Sequence, residues 1–258
     1  MKIKIITALF DINRHNKGDG RKIEDYLDWF KDTLKLKCDF VIYTEDRFKE
    51  FVEDTRKDIN YKTDIIIQKL EEIPFYKNRD RINSIISSEE YKLKVKDPNR
   101  IECYLPEYNI IQYSKFGWLK MAIEENNDYD YFLWMDAGCS RFFNGHDFDK
   151  DWPNSNLPID KLTIQGNTNY VSNFDEMKPD QYIWDNNSML VGTLFGGGKD
   201  VMIKVSNLIE DKFNNLIDIN CVNNEQFLLA IIAKINPELF NIIVRLDYTH
   251  LPIFKIIS

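Results

Sequence analysis

Tyr131 to Met135 are five consecutive large apolar residues, Tyr-Phe-Leu-Trp-Met, bounded by Asp130 and Asp136 and followed at once by the small residues Ala137 and Gly138. A run this short, this rich in aromatics and closed by glycine fits a strand buried on both faces better than a helix. In an open α/β sheet, helices cover both faces and leave the carboxyl ends of the strands as the accessible edge. Asp136 stands at that edge. An acid there can hold a divalent cation, and small neighbours such as Ala137 let a bulky ligand approach the backbone. The ordinary alternative is an aspartate that merely ends the strand or caps a turn.

The rest of the chain supplies the layers such a strand needs. Residues 3 to 10 read as a first strand. Ile23, Tyr26, Leu27, Phe30 and Leu34 then repeat at helical spacing. Cys38 to Tyr43 gives a second strand, Phe48 to Ile59 a second helical pattern and Thr63 to Gln68 a third strand, an alternation that implies crossovers and a parallel sheet. Glu71 to Pro106 is a charged helical excursion. Lys115 to Asn126 is a helix leading into the central strand. Phe142 to Asp180 is irregular apart from a short run at Leu162 to Gln165, and long irregular segments in compact domains are usually functional or mobile. Ser188 to Phe195 reads as a strand ended by Gly196, Gly197 and Gly198. A helix follows through Val201, Val205, Leu208 and Ile209. Glu225 to Lys234 is a buried helix, and Leu239 to Leu246 a last strand. No internal repeat or low-complexity linker interrupts 258 residues, so the expectation is one α/β domain over 1–258, a mostly parallel sheet with helices on both faces.

Composition excludes several classes of function. A formal charge of -8 opposes general nucleic-acid binding, which needs a basic stripe to meet the phosphate backbone. Four scattered cysteines, with no CxxC pair and no histidine at metal-ligand spacing, suit reduced, buried thiols and a cytoplasmic protein. No run approaches the roughly 20 apolar residues of a spanning helix. No transmembrane segment is therefore expected, although a lipid-linked substrate could bring the chain to a membrane surface. Dinucleotide, Walker and nucleophile-elbow signatures are absent as well. What remains is polar groups near predicted carboxyl ends of strands: Thr7, Asp11 and Arg14, then Asp136, the three glycines, Glu225 with Gln226, and His250.

Three stretches carry a resemblance. Thr-Ala-Leu-Phe-Asp-Ile-Asn-Arg (7 to 14), Arg-Lys-Ile-Glu-Asp-Tyr-Leu-Asp-Trp-Phe (21 to 30) and Phe-Leu-Trp-Met-Asp-Ala-Gly-Cys-Ser-Arg-Phe (132 to 142) resemble the HtrL/YibB family, which includes WlaTC-type proteins associated with lipooligosaccharide synthesis. The resemblance implies a GT-A-like fold and a glycosyltransferase that takes a nucleotide sugar, a UDP-sugar foremost, to a glycan or lipid-linked saccharide acceptor. It also implies a Mn²⁺ or Mg²⁺ ion on the last Asp of an Asp-x-Asp motif. Here Trp134 occupies the first Asp position, so only Asp136 survives. His250 is the implied second metal ligand, and an imidazole would favour Mn²⁺.

The remaining roles follow from the same resemblance. Thr7, Asp11 and Arg14 would meet base, ribose and phosphate. Lys115 would add a positive charge, and Ala137, Gly197 and Gly198 would let the donor approach backbone. Glu225 and Gln226 would contact the reacting sugars, Glu225 as base if the reaction inverts and as an orienting group if it retains. Two other readings stay open: a non-catalytic glycan- or nucleotide-binding protein, supported by the missing first Asp, and a nucleotidyltransferase, which lacks its expected basic glycine loop after the first strand.

Overall fold

In the computed structural model, which describes residues 1–143, 147–153 and 157–244, seven strands form one mixed sheet. They are β1 (Ile3–Leu9), β2 (Asp39–Thr44), β3 (Thr63–Ile67), β4 (Tyr131–Met135), β5 (Leu162–Gly166), β6 (Leu190–Gly198) and β7 (Phe240–Val244). Their order across the sheet is β3-β2-β1-β4-β6-β5-β7. β1 pairs parallel with β2 and β4, β2 with β3, and β5 with β7. Only β6 runs against its neighbours, antiparallel to both β4 and β5. This is the expected α/β class, a mostly parallel sheet with helices on both faces.

The period-two alternation of a strand divides the core. Phe132 and Trp134 of β4 face one cluster, which includes Trp118, Leu119, Val205 and Leu229 from the helices Pro106–Glu125, Lys199–Asp218 and Glu225–Ile235. Tyr131, Leu133 and Met135 face the other, with Phe30 and Val52 from the helices Ile23–Thr33 and Lys49–Arg56. Every residue of β4 is consequently buried, as a continuous apolar strand requires.

Two expectations need correction. The helix ahead of β4 starts at Pro106, not Lys115, because proline at its first turn supplies a start that the charged sequence around it concealed. Nor do the three glycines end a strand: β6 continues through them, with Gly196 opposite Leu133 and Gly198 opposite Tyr131. A Cβ at Gly196 would strike the carbonyl oxygen of Phe132 and approach Leu133 Cδ2 to 2.5 Å. Gly196→Ala is therefore expected to cost about 1–3 kcal/mol through overpacking, read as a lower denaturation midpoint; an unchanged midpoint would show that β4 and β6 can part freely. The predicted last strand is present at Phe240–Val244, and its continuation lies outside the described residues.

Candidate active site at the carboxyl edge of the sheet

Asp136 follows β4 directly and keeps its alternation, so its side chain emerges on the face of Phe132 and Trp134, under the Pro106–Glu125 helix. Two groups on that face seize one of its oxygens. The Trp134 indole Nε1 donates to Asp136 Oδ1 at 2.7 Å, and Lys115 Nζ lies 3.0 Å from the same atom. The backbone is fixed too, Asp136 N donating to Thr193 O at 2.9 Å. Oδ2 makes no hydrogen bond to any described residue. With its side chain 31% exposed, Asp136 lines a cleft of about 220 Å³.

Lys115 is no solvated helix-start residue. It sits mid-helix with its side chain 2% exposed, and its ammonium also meets Glu225 Oε1 at 2.8 Å and Gly192 O at 3.2 Å. Burial alone would lower its pKa; the carboxylates of Asp136 and Glu225 outweigh that and hold it above the usual lysine value. Glu225 is completely buried at the start of the Glu225–Ile235 helix. Burial pushes it up to about 7 against the pull of Lys115, and the charge of Asp136 adds to the rise. Its Oε2 is buried without a hydrogen-bond partner. A carboxylate oxygen left unsatisfied beside a cleft is a costly arrangement unless a ligand uses it.

Around this centre the cleft is lined by Asp11, Arg14, Tyr26, Tyr108, Ala137 and Gln226, among others. Asp11 comes from the turn after β1; its Oδ1 accepts from Asn13 N at 2.8 Å and its Oδ2 lies 3.3 Å from Arg47. Arg14 is clamped by Asp19 at 2.6 and 2.7 Å and donates to the Tyr26 hydroxyl at 2.6 Å. Gln226 Oε1 accepts from Gly192 N at 3.2 Å. The tertiary structure thus gathers Asp11, Arg14, Lys115, Asp136, Ala137, Glu225 and Gln226 at one edge.

Three expected residues stand elsewhere. Thr7 is buried inside β1 and does not line the cleft, because the strand runs on to Leu9 and carries the accessible edge beyond it. Gly197 and Gly198 lie at the opposite edge of the sheet: β6 is antiparallel to β4, so its carboxyl end faces away from Asp136. Their smallness serves packing, since a Cβ at Gly197 would come within 2.7 Å of Val201 Cγ1. The start of β6, at Gly192 and Thr193, borders the cleft instead. His250 lies outside the described residues. Sequence reasoning missed Trp134 as the residue that orients Asp136, although their spacing of two on a strand was the available signal.

Asp136 alone among the expected metal ligands is described, and no group of three or more His, Cys, Asp or Glu suited to a metal occurs among the described residues. Its open Oδ2 fits a hard divalent cation that draws its other ligands from phosphate oxygens and water, as Mg²⁺ commonly does. No helix among the described residues is long and apolar enough to cross a membrane.

No curated protein matches the chain. Solved structures similar to it include a glycosyltransferase involved in the glycosylation of the major capsid of PBCV-1, at 12% identity, TM-score 0.41, covering 95% of this chain and 81% of that one. Mouse xyloside xylosyltransferase 1, in its apo form, is similar at 10% identity and TM-score 0.43, covering 94% of this chain and 84% of that one. The family model described as a bacterial protein of unknown function, HtrL_YibB, matches residues 1–256, and the chain belongs to the HtrL_YibB family.

Proposed function

We propose that this chain is a metal-assisted glycosyltransferase, moving a sugar from a nucleotide donor to a hydroxyl of a glycan or lipid-linked acceptor. The observation that carries the reading is the division of labour on Asp136: Oδ1 is locked by Trp134 and Lys115, while Oδ2, on a residue that lines the cleft, has no hydrogen-bond partner among the described residues. A carboxylate fixed in this way is preorganised, and preorganised charge is the largest common source of transition-state stabilisation. Asp136, with His250 as the proposed second ligand, would hold Mn²⁺ or Mg²⁺, which supplies neutralisation of the departing diphosphate.

The protein's own groups would do the rest. The bond from the anomeric carbon to the phosphate oxygen breaks, the acceptor oxygen bonds to that carbon, and the acceptor's proton leaves to a base. In an inverting reaction Glu225 is that base, its elevated pKa suiting proton transfer near neutral pH. In a retaining one the same carboxylate orients the sugar through Oε2. Asp11 would meet the nucleoside, and Tyr26 and Tyr108 offer ring edges and hydroxyls on the cleft wall.

A panel of nucleotide sugars with Mn²⁺, followed by thermal shift, tests this directly, because a ligand that binds only the folded state stabilises it in proportion to occupancy. One donor class, UDP-sugars foremost, should raise the melting temperature and release nucleoside diphosphate on incubation with acceptor. If no nucleotide sugar shifts the transition, the reading is wrong. Trp134 in the place of a first Asp favours a second reading, a binding protein without turnover. Binding that releases no diphosphate, even by slow hydrolysis, would select it.

A further inference from the structure

Four cationic side chains line the cleft: Arg14, Arg21, Lys115 and Arg141. Three face carboxylates. Arg14 is held by Asp19 at 2.6 and 2.7 Å, Arg21 lies 3.5 Å from the same carboxylate, and Lys115 is shared between Asp136 and Glu225. Arg141 makes no ion pair with any described residue. Its Nε donates to Gly138 O at 2.9 Å, and its guanidinium lies over the ring of Trp29 at 4.5 Å and near that of Phe142 at 5.3 Å. One nitrogen and the planar face are therefore engaged, while the two terminal nitrogens make no hydrogen bond to any described residue.

The support under Arg141 is itself tied down. Its 3₁₀ turn, Ala137–Phe142, begins directly after Asp136. Thr33 Oγ1 donates to Ala137 O at 2.9 Å and accepts from Ser140 N at 3.2 Å, and Ser140 Oγ donates to Trp29 O at 2.7 Å. The Ile23–Thr33 helix, the turn and the Trp29 platform thus form one braced unit. Gly138 completes it: a Cβ there would sit 3.3 Å from Trp29 Cε3 and 3.5 Å from Arg141 Nη2.

We propose that Arg141 is the anion subsite for the diphosphate of the donor, gripping it through its terminal nitrogens beside Asp136. This rests on the reading of the cleft as a nucleotide-sugar site and adds which protein charge meets the diphosphate. The Lys115 charge is already spent on two carboxylates, so the centre carries no surplus positive charge of its own. A stacked guanidinium offers two parallel N–H donors that match phosphate oxygens, which a lysine's point charge does not reproduce.

Calorimetric titration of UDP, inorganic pyrophosphate and uridine into wild type, Arg141→Ala and Arg141→Lys, with Mn²⁺ and with chelator, tests the assignment. In Arg141→Ala the affinity for UDP and for pyrophosphate should fall about ten- to a hundredfold, the range of a charge-assisted hydrogen-bonded contact. Arg141→Lys should recover only part of the loss, and uridine affinity should not change. The loss should persist in chelator, because it does not pass through the metal. Unchanged UDP affinity in Arg141→Ala, or a loss for UDP but not pyrophosphate, overturns the assignment while leaving the cleft reading intact. A wild-type protein that binds neither UDP nor pyrophosphate removes both. Should Arg141→Ala melt early, Arg141→Gln, which keeps the Nε-side amide contact without the charge, gives the same comparison.

Discussion

Asp136→Asn should lose metal-dependent binding of nucleoside diphosphate and lower sugar transfer by about a hundred- to a thousandfold, the usual cost of removing one preorganised electrostatic group. The substitution is nearly isosteric. The amide oxygen can still accept from Trp134 Nε1 and Lys115 Nζ, at the positions where Oδ1 accepts at 2.7 and 3.0 Å. What changes is the second atom: an NH₂ replaces the open Oδ2 and cannot bind a cation. The fold should therefore survive, with a melting temperature close to wild type, so that a loss of binding reports on chemistry. Titration of UDP with and without Mn²⁺ checks it. Equal metal-dependent affinity in wild type and variant would remove Asp136 from the site.

Lys115→Met should produce the largest loss of stability of any single substitution in the cleft, about 3–5 kcal/mol at pH 8, the range for breaking a buried ion pair from one side. Methionine fills much of the volume but leaves Glu225, fully buried, without its counter-ion. The loss depends on pH, and its sign follows from linkage. Glu225 already has a folded pKa near 7 against 4.5 unfolded, and Lys115 acts to lower it. Without the lysine the folded pKa climbs further. A carboxyl whose folded pKa lies above its unfolded value binds the proton more tightly in the native state, so stability falls as pH rises from about 4.5 toward the new folded pKa. Denaturant unfolding should show a deficit at pH 8 that exceeds the one at pH 5 by about 1 kcal/mol, since linkage supplies at most about 1.4 kcal/mol per pH unit above the wild-type value of about 7. The double variant Lys115→Met with Glu225→Gln should regain most of the pH 8 deficit and lose its pH dependence. A deficit that is the same at both pH values, and unrelieved in the double variant, would place the cost in packing instead of charge.

The two experiments also separate architecture from chemistry within one cluster. Asp136 is the partly exposed member, so its replacement is read in ligand binding. Lys115 and Glu225 are buried against each other at 2.8 Å in the cleft wall, so their separation is read first in folding. Trp134 belongs to both descriptions: its ring is part of the core stack against Trp118, at 6.0 Å between centroids, and its Nε1 sets the aspartate's orientation.

Much of this was legible in the chain itself. Tyr131–Met135 could be read as a strand buried on both faces, and Asp136 as the acid at its exposed end, because apolar runs and period-two alternation are local properties that survive without knowledge of neighbours. The amphipathic spacing from Ile23 to Phe30 and the nearly continuous apolar run after Gln226 likewise fixed two helices and their depth of burial. Tertiary structure alone decided the rest. The direction of β6 depends on which strand it meets, and its antiparallel course carried Gly197 and Gly198 to the far edge and brought Gly192 to the cleft. Thr7, two residues short of the end of β1, proved to be packed in the core and not to border the cleft. Lys115 and Glu225 are 110 residues apart in sequence, and neither announces the other. Periodicity tells a residue which face it occupies. Only the closing of distant segments onto one sheet determines which charges share that face, because Coulomb interactions act over ångströms of space and take no account of separation along the chain.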